Sequence, residues 1–291
     1  MKLLSTLAKP ILAKPLSLMS LTCGALLCLG SFMASASNPE YNYLPANEVK
    51  QLQVEDKSVP ALLRPWIGKK RLGLAIIVPA IGERADAPGL ASYLRRELNS
   101  VGWATLAVTP PPLLDTHTEI EASDTASTAA TPDTQQALLE SQKIQLKQQD
   151  FMLASMAQLD TLGKHFAGKR MLVTIGDSAN LIIELLETKR LPKPDLMVIV
   201  NPYSELESAN QALPEKLAAL SIPVLDIQSK DGTAQSLATQ VQRLTLAPAN
   251  TPTRYSQQVL ALDLTLKVTW DDCLELIEGF ATRINKAYPN G

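Results

Sequence analysis

Residues 171–180 read "MLVTIGDSAN": a short apolar run stopped by Gly176, then Asp177, Ser178, Ala179 and Asn180 before a second apolar segment. Five apolar or β-branched residues in a row fit a strand covered on both faces. "ANLIIELLE" continues with helical spacing behind a polar residue able to cap it. A strand running through a tight turn into a helix is the repeating unit of a parallel sheet. The question is whether Ser178 is a nucleophile at that turn or only the polar start of the helix.

The same unit recurs outward along the chain. "RLGLAIIVP" and "WATLAVT" are strand-like and are separated by "PGLASYLRRELNSVG", whose apolar residues fall at helical spacing up to a stop at Gly102. "RMLVTI", "DLMVIVN" and "IPVLDIQ" follow, separated by helical segments, with "RYSQQVLALDL" as a last strand and "WDDCLELIEGFATRINKAY" as a closing helix. Ahead of them, "EVKQLQV" and "VPALLRP" flank "EDKS" as an antiparallel hairpin. Apolar strands alternating with helices imply a mostly parallel sheet with helices on both faces and right-handed crossovers. A long helix is expected from Asp133 or Thr134, burying Met152, Met156, Leu159, Leu162 and Phe166 on one face while "QKIQLKQQD" stays solvated.

The N-terminus carries Lys2, Lys9 and Lys14 with no acid, then an apolar run, then Ala34-Ser35-Ala36. That order is expected of a secretory signal peptide cut after Ala36, leaving a soluble chain in the periplasm with no membrane span. Removing 36 of the 291 residues leaves 255 and changes the net charge from −2 to −5. This length suits one α/β domain with a substantial core. A mildly acidic chain without basic runs carries no electrostatic footprint for nucleic acid. Cys273 alone survives processing; it closes no internal disulfide and reads as a small buried group on a helix. Residues 113–133 contain only Thr, Ala, Ser, acids and a few apolar residues around His117, and are expected to form a mobile low-complexity loop.

The strand, "IGDSAN" and helix resemble the nucleophile elbow of α/β-hydrolases, where G-x-S-x-G sets a serine on a sharp turn above the sheet. "IVPAIGERADAPGLASYLRRELNSVGWATLAVTPPP", with later "VIVNP" and "IPVLDIQ", is similar to a family of bacterial α/β-hydrolase-like proteins known only as a domain of unknown function. The resemblance runs from about Glu48 to the C-terminus. It implies the fold and leaves the reaction open.

In that frame Ser178 is the nucleophile and Asp231 in "QSKDG" the acid, with Asp226 a weaker alternative inside a strand. The oxyanion hole would be the N–H of Ala179 with that of Ala80 or Ile81. Asn180 stands where the second glycine is expected, and no histidine follows residue 165. An unaided serine is a weak nucleophile. His165 precedes the strand and so lies at the wrong end of the sheet; His117 follows a strand at the correct end, but on the low-complexity loop. Glu83, Arg84 and Asp86 after the first central strand are candidate ligand contacts, or an Arg–carboxylate pair on a solvated loop. No metal-ligand spacing and no nucleotide fingerprint occurs, so no cofactor is expected.

Three functions remain open. The expected one is non-catalytic binding of a small molecule, envelope component or protein. The second is a serine hydrolase using Ser178, Asp231 and His117. The third is a structural partner protein of the cell envelope.

Overall fold

In the computed structural model the described residues are 39–114, 134–250 and 255–289. The segment expected to be a signal peptide, His117 and nearly all of residues 113–133 lie outside them. Strands β1 (Val49–Val54) and β2 (Lys57–Arg64) form the expected hairpin, paired antiparallel. β2 then runs antiparallel to β4 (Trp103–Val108). From β4 onward every pairing is parallel, through β3 (Gly73–Val78), β5 (Lys169–Ile175), β6 (Leu196–Val200), β7 (Val224–Gln228) and β8 (Tyr255–Val259). The spatial order is β1-β2-β4-β3-β5-β6-β7-β8.

The central strands are apolar on both faces because both faces are covered. Val173, Val198 and Leu225 pack toward α1 (Leu90–Glu97) and α7 (Lys267–Ala287), while Leu172, Met197 and Ile199 pack toward α4 (Asp177–Glu187) and α5 (Glu207–Ala219). Cys273 is fully buried on α7, and burial pushes its thiol up to about 12, so it behaves as an apolar group. Among the described residues no helix is long and apolar enough to cross a membrane.

Two expectations need correction. The long helix is broken: α2 (Thr134–Met156) stops and α3 (Leu159–Gly163) restarts. Between them Gln158 pairs with the edge strand, its amide accepting from Gln53 N–H at 2.9 Å and donating to Gln53 O at 2.6 Å. The helix gives way to a contact that satisfies an exposed sheet edge. A further helix, α6 (Ala234–Asn250), lies between β7 and β8 where none is expected. Its polarity is inverted: Ser236, Thr239 and Arg243 are buried, whereas Leu237, Val241 and Leu244 face outward.

The buried face of α6 meets Asp226. Arg243 donates to Asp226 at 2.9 Å and to Gln228 at 2.8 Å, and Tyr255 and Gln257 donate to the same Asp226 oxygen at 2.6 and 2.9 Å. Both Arg243 and Asp226 are fully buried. Asp226 thus joins β7, β8 and α6 as a structural ion pair.

Candidate functional site

The turn after β5 sets the geometry at the C-terminal edge of the sheet. Gly176 has φ 63° and ψ −135°, near the region reserved almost wholly for glycine. Its N–H donates to Val200 O at 2.9 Å, fixing the turn to the next strand. The tip of the elbow is therefore Gly176, two residues before the serine expected there. Centred on Gly176, the small residues two positions to either side are Thr174 and Ser178, both fully buried. Ser178 lies inside helix α4, and its hydroxyl donates to Pro79 O at 2.6 Å. It ties the helix to the end of β3, the close-packing role that G-x-S-x-G gives to its second glycine.

The N–H groups expected to form the oxyanion hole all have acceptors within the chain. Ala179 N–H donates to Gly176 O at 3.2 Å, and Ala80 N–H to the Glu83 carboxylate at 3.2 Å. Ile81 N–H points to the site, but it donates to Asp177 Oδ1 at 2.8 Å. The N–H groups of Ser178 and of Asp177 itself lie close enough to hold that carboxylate's pKa down. The residue after the tip and the β3 loop supply the two donors of a hydrolase oxyanion hole. Here a carboxylate of the chain itself takes the donor from the β3 loop, Ile81 N–H. Burial raises the Asp177 pKa to about 6, against the three N–H groups, which lower it. Tyr203 is pushed up to about 12 by burial and by the nearby Asp177, Glu205 and Glu83.

Asp231 lies on the loop after β7, as a hydrolase acid should. Both its oxygens accept the N–H of Leu264 at 3.0 Å, in the segment after β8 where the base would stand. Ser229 Oγ donates to it at 2.5 Å, and Asn201 holds Ser229 through its own side chain at 2.7 and 2.8 Å. Asn201, at φ 47°, is a residue that sequence reasoning missed; an Asn before Pro at a strand end was the available signal.

Of the three residues after β3, Arg84 and Asp86 form the Arg–carboxylate pair and Glu83 turns away from them. Arg84 lies 3.1 Å from both Asp86 and Glu40 and sits over the Tyr41 ring, so it anchors the segment ahead of β1. Glu83 turns back to Ala80. His165 is exposed ahead of β5, at the opposite end of the sheet. Among the described residues no group of three or more His, Cys, Asp or Glu could hold a metal ion.

A cavity of about 280 Å³ opens beside the elbow. Asp177, Asn180 and Leu181 line it from α4, Ile81 and Leu113 from the strand-end loops, Ser204, Glu205 and Leu206 from the loop after β6, and Ile144, Gln145 and Gln148 from α2. Part of the helix face expected to be solvated therefore forms its wall.

Strand order, a glycine-tipped turn after β5 and an acid after β7 define an α/β-hydrolase fold. The chain belongs to the family described as "Protein of unknown function (DUF3530)", which matches residues 33–283. No curated protein matches it in sequence. Among solved structures it is similar to a dienelactone hydrolase from Anabaena variabilis ATCC 29413, with 14% identity, 81% of this chain and 96% of that one covered, and a TM-score of 0.54. It is also similar to Est1E from Butyrivibrio proteoclasticus, with 11% identity, 79% and 99% covered, and a TM-score of 0.51. An alpha-beta serine hydrolase homologue from Coxiella burnetii has 12% identity, 81% and 98% covered, and a TM-score of 0.51. At these identities the likeness is one of fold.

Proposed function

We propose that this chain is an exported, non-catalytic binding protein on the hydrolase fold, taking a small molecule or envelope component at the C-terminal edge of its sheet. The observation that carries the reading is the Asp177 carboxylate held by Ile81 N–H beside a glycine tip. A hydrolase needs a nucleophile at that tip and open donors beside it. Export rests on the order of basic, apolar and Ala-Ser-Ala segments at the N-terminus. Intact mass of the protein from its native envelope should then begin at Ser37, and a retained Met1 would overturn this part.

Turnover of a short-chain aryl ester tests the main reading: purified protein and Ser178→Ala should hydrolyse it equally slowly. Turnover lost in Ser178→Ala would overturn it. The hydrolase names of the structural neighbours favour a second reading, with Ser178 as nucleophile, Asp231 as acid and His117 as base. That reading requires the Ser178 hydroxyl to leave Pro79 and reach solvent.

A further inference from the structure

We propose that two copies of this chain associate about a two-fold axis through the free edge of β8 and the apolar flank of α6. β8 ends the sheet on one side, and among the described residues no strand pairs with its outer edge. Leu260 N–H donates to Gln228 O at 2.8 Å, so alternation along the strand turns the backbone of Ser256, Gln258 and Leu260 toward β7. The N–H and C=O groups of Tyr255, Gln257 and Val259 therefore point away from the sheet. Proteins blunt such edges with Lys, Pro or a covering segment. The β8 sequence "YSQQV" has neither Lys nor Pro, whereas β1 at the opposite edge is met by Gln158.

The helix beside this edge is an independent observation. Gln235 O accepts from Asn210 of α5 at 3.0 Å, and Gln240 O accepts from Gln257 of β8 at 3.1 Å, so α6 has one flank on α5 and the other along β8. Leu237 and Leu244 stand three and four residues from Gln240 and Val241 adjoins it, which puts all three on the β8 flank. They are 41%, 49% and 70% exposed, and Val259, on the same face of β8 as Gln257, is 59% exposed. Together these side chains leave about 400 Å² of apolar surface in water, the size at which a patch marks an interaction site. A helix that buries Ser, Thr and Arg while exposing Leu and Val is the reverse of what a lone domain needs.

A second copy fits both features. In antiparallel pairing about an axis at Gln257, Gln257 meets its own copy and Tyr255 meets Val259, so the outward N–H and C=O groups satisfy one another. An aromatic residue opposite a β-branched one is a favourable cross-strand pair. The axis is normal to the sheet, so both α6 helices stay on one face. α6 runs opposite to β8, from Ser236 at Gln228 to Arg243 at Asp226, which brings Val241 toward its own copy and Leu237 toward Leu244. A two-fold contact sets each charge against itself. α6 and β8 contain a single charged residue, Arg243, and it is fully buried. Two such stripes with the strand edge between them come to the lower end of specific interfaces, about 1,200 Å² in total.

Sedimentation velocity of the purified protein tests the inference on the wild type and on Val241→Glu, Val259→Pro and Gln242→Glu. The wild type should be a dimer at micromolar concentration. Val241→Glu sets two carboxylates together near the axis and should weaken the dimer about a hundredfold or more. Val259→Pro removes an outward N–H and none that bonds to β7, and should weaken it about tenfold or more. Gln242→Glu, an exposed position turned away from the stripe, should leave it unchanged. Amide exchange keeps the test decisive if Val259→Pro does not fold: the N–H groups of Gln257 and Val259 should exchange slowly in the wild-type dimer and fast in Val241→Glu. A wild type that is monomeric at every concentration would overturn the inference and leave this surface to a different protein. A dimer unmoved by Val241→Glu or Val259→Pro, weakened equally by Gln242→Glu, or fast in exchange at Gln257 and Val259, would overturn it too.

Discussion

The Asp177 carboxylate accepts the backbone N–H of Ile81 at 2.8 Å across the gap between β5 and β3. Those two elements meet in the same way in a working hydrolase, but there the N–H waits for a substrate oxygen. Here the chain supplies the negative charge from its own next residue.

The raised pKa of Asp177 has a definite sign. From the ordinary 3.8 to about 6, the folded protein binds more protons than the unfolded chain, so stability falls as pH rises through that window and then levels off. Ionised Asp177 therefore costs about 1 to 3 kcal/mol above pH 6. Urea unfolding of Asp177→Asn should show a gain of that order at pH 7.5 that vanishes by pH 4. A loss at pH 7.5 would show that the carboxylate stabilises the turn.

Gly176→Ser would place a hydroxyl at the tip of the elbow. A Cβ there meets Ala80 Cβ at 3.2 Å and Tyr203 at 3.4 Å, and the backbone stands at positive φ. The expected cost is about 1 to 3 kcal/mol, with no gain in ester turnover, because the only histidine among the described residues, His165, lies at the opposite end of the sheet. Denaturant midpoints and an ester assay check both parts.

Arg243→Ala should leave Asp226 buried and uncompensated, at a cost of about 3 to 5 kcal/mol. Removing both charges together, as Arg243→Met with Asp226→Asn, should cost less than Arg243→Ala alone. A double-variant loss equal to the sum of the losses from Arg243→Met and Asp226→Asn alone would mean that the pair is not coupled.

The sheet is legible in the sequence because "MLVTI" and "LMVIV" are apolar on both faces, and only a strand between two helical layers requires that. The helix α6 is not, because its buried face is polar: Arg243 answers Asp226 and Gln228, Ser236 answers Gln228 and Thr239 holds Arg243, partners that exist only after folding. The elbow is legible as a turn but not in register. In "TIGDSAN" both Gly176 and Ser178 can be placed at the tip by spacing alone, and only the φ of Gly176 separates them. The alternative frame, small residues at Thr174 and Ser178 around a central glycine, was present in the sequence. The Asp177–Ile81 contact spans 96 residues and has no local signature.

The rate of fluorophosphonate labelling, followed by intact mass on the wild type and Ser178→Ala, tests the absence of an activated nucleophile most directly. A triad without its base loses several powers of ten while an oxyanion hole alone retains roughly 10³-fold, so residual labelling is compatible with the account if the two proteins match. The account predicts equal, slow labelling with no adduct on Ser178. Fast labelling of the wild type that disappears in Ser178→Ala would contradict it.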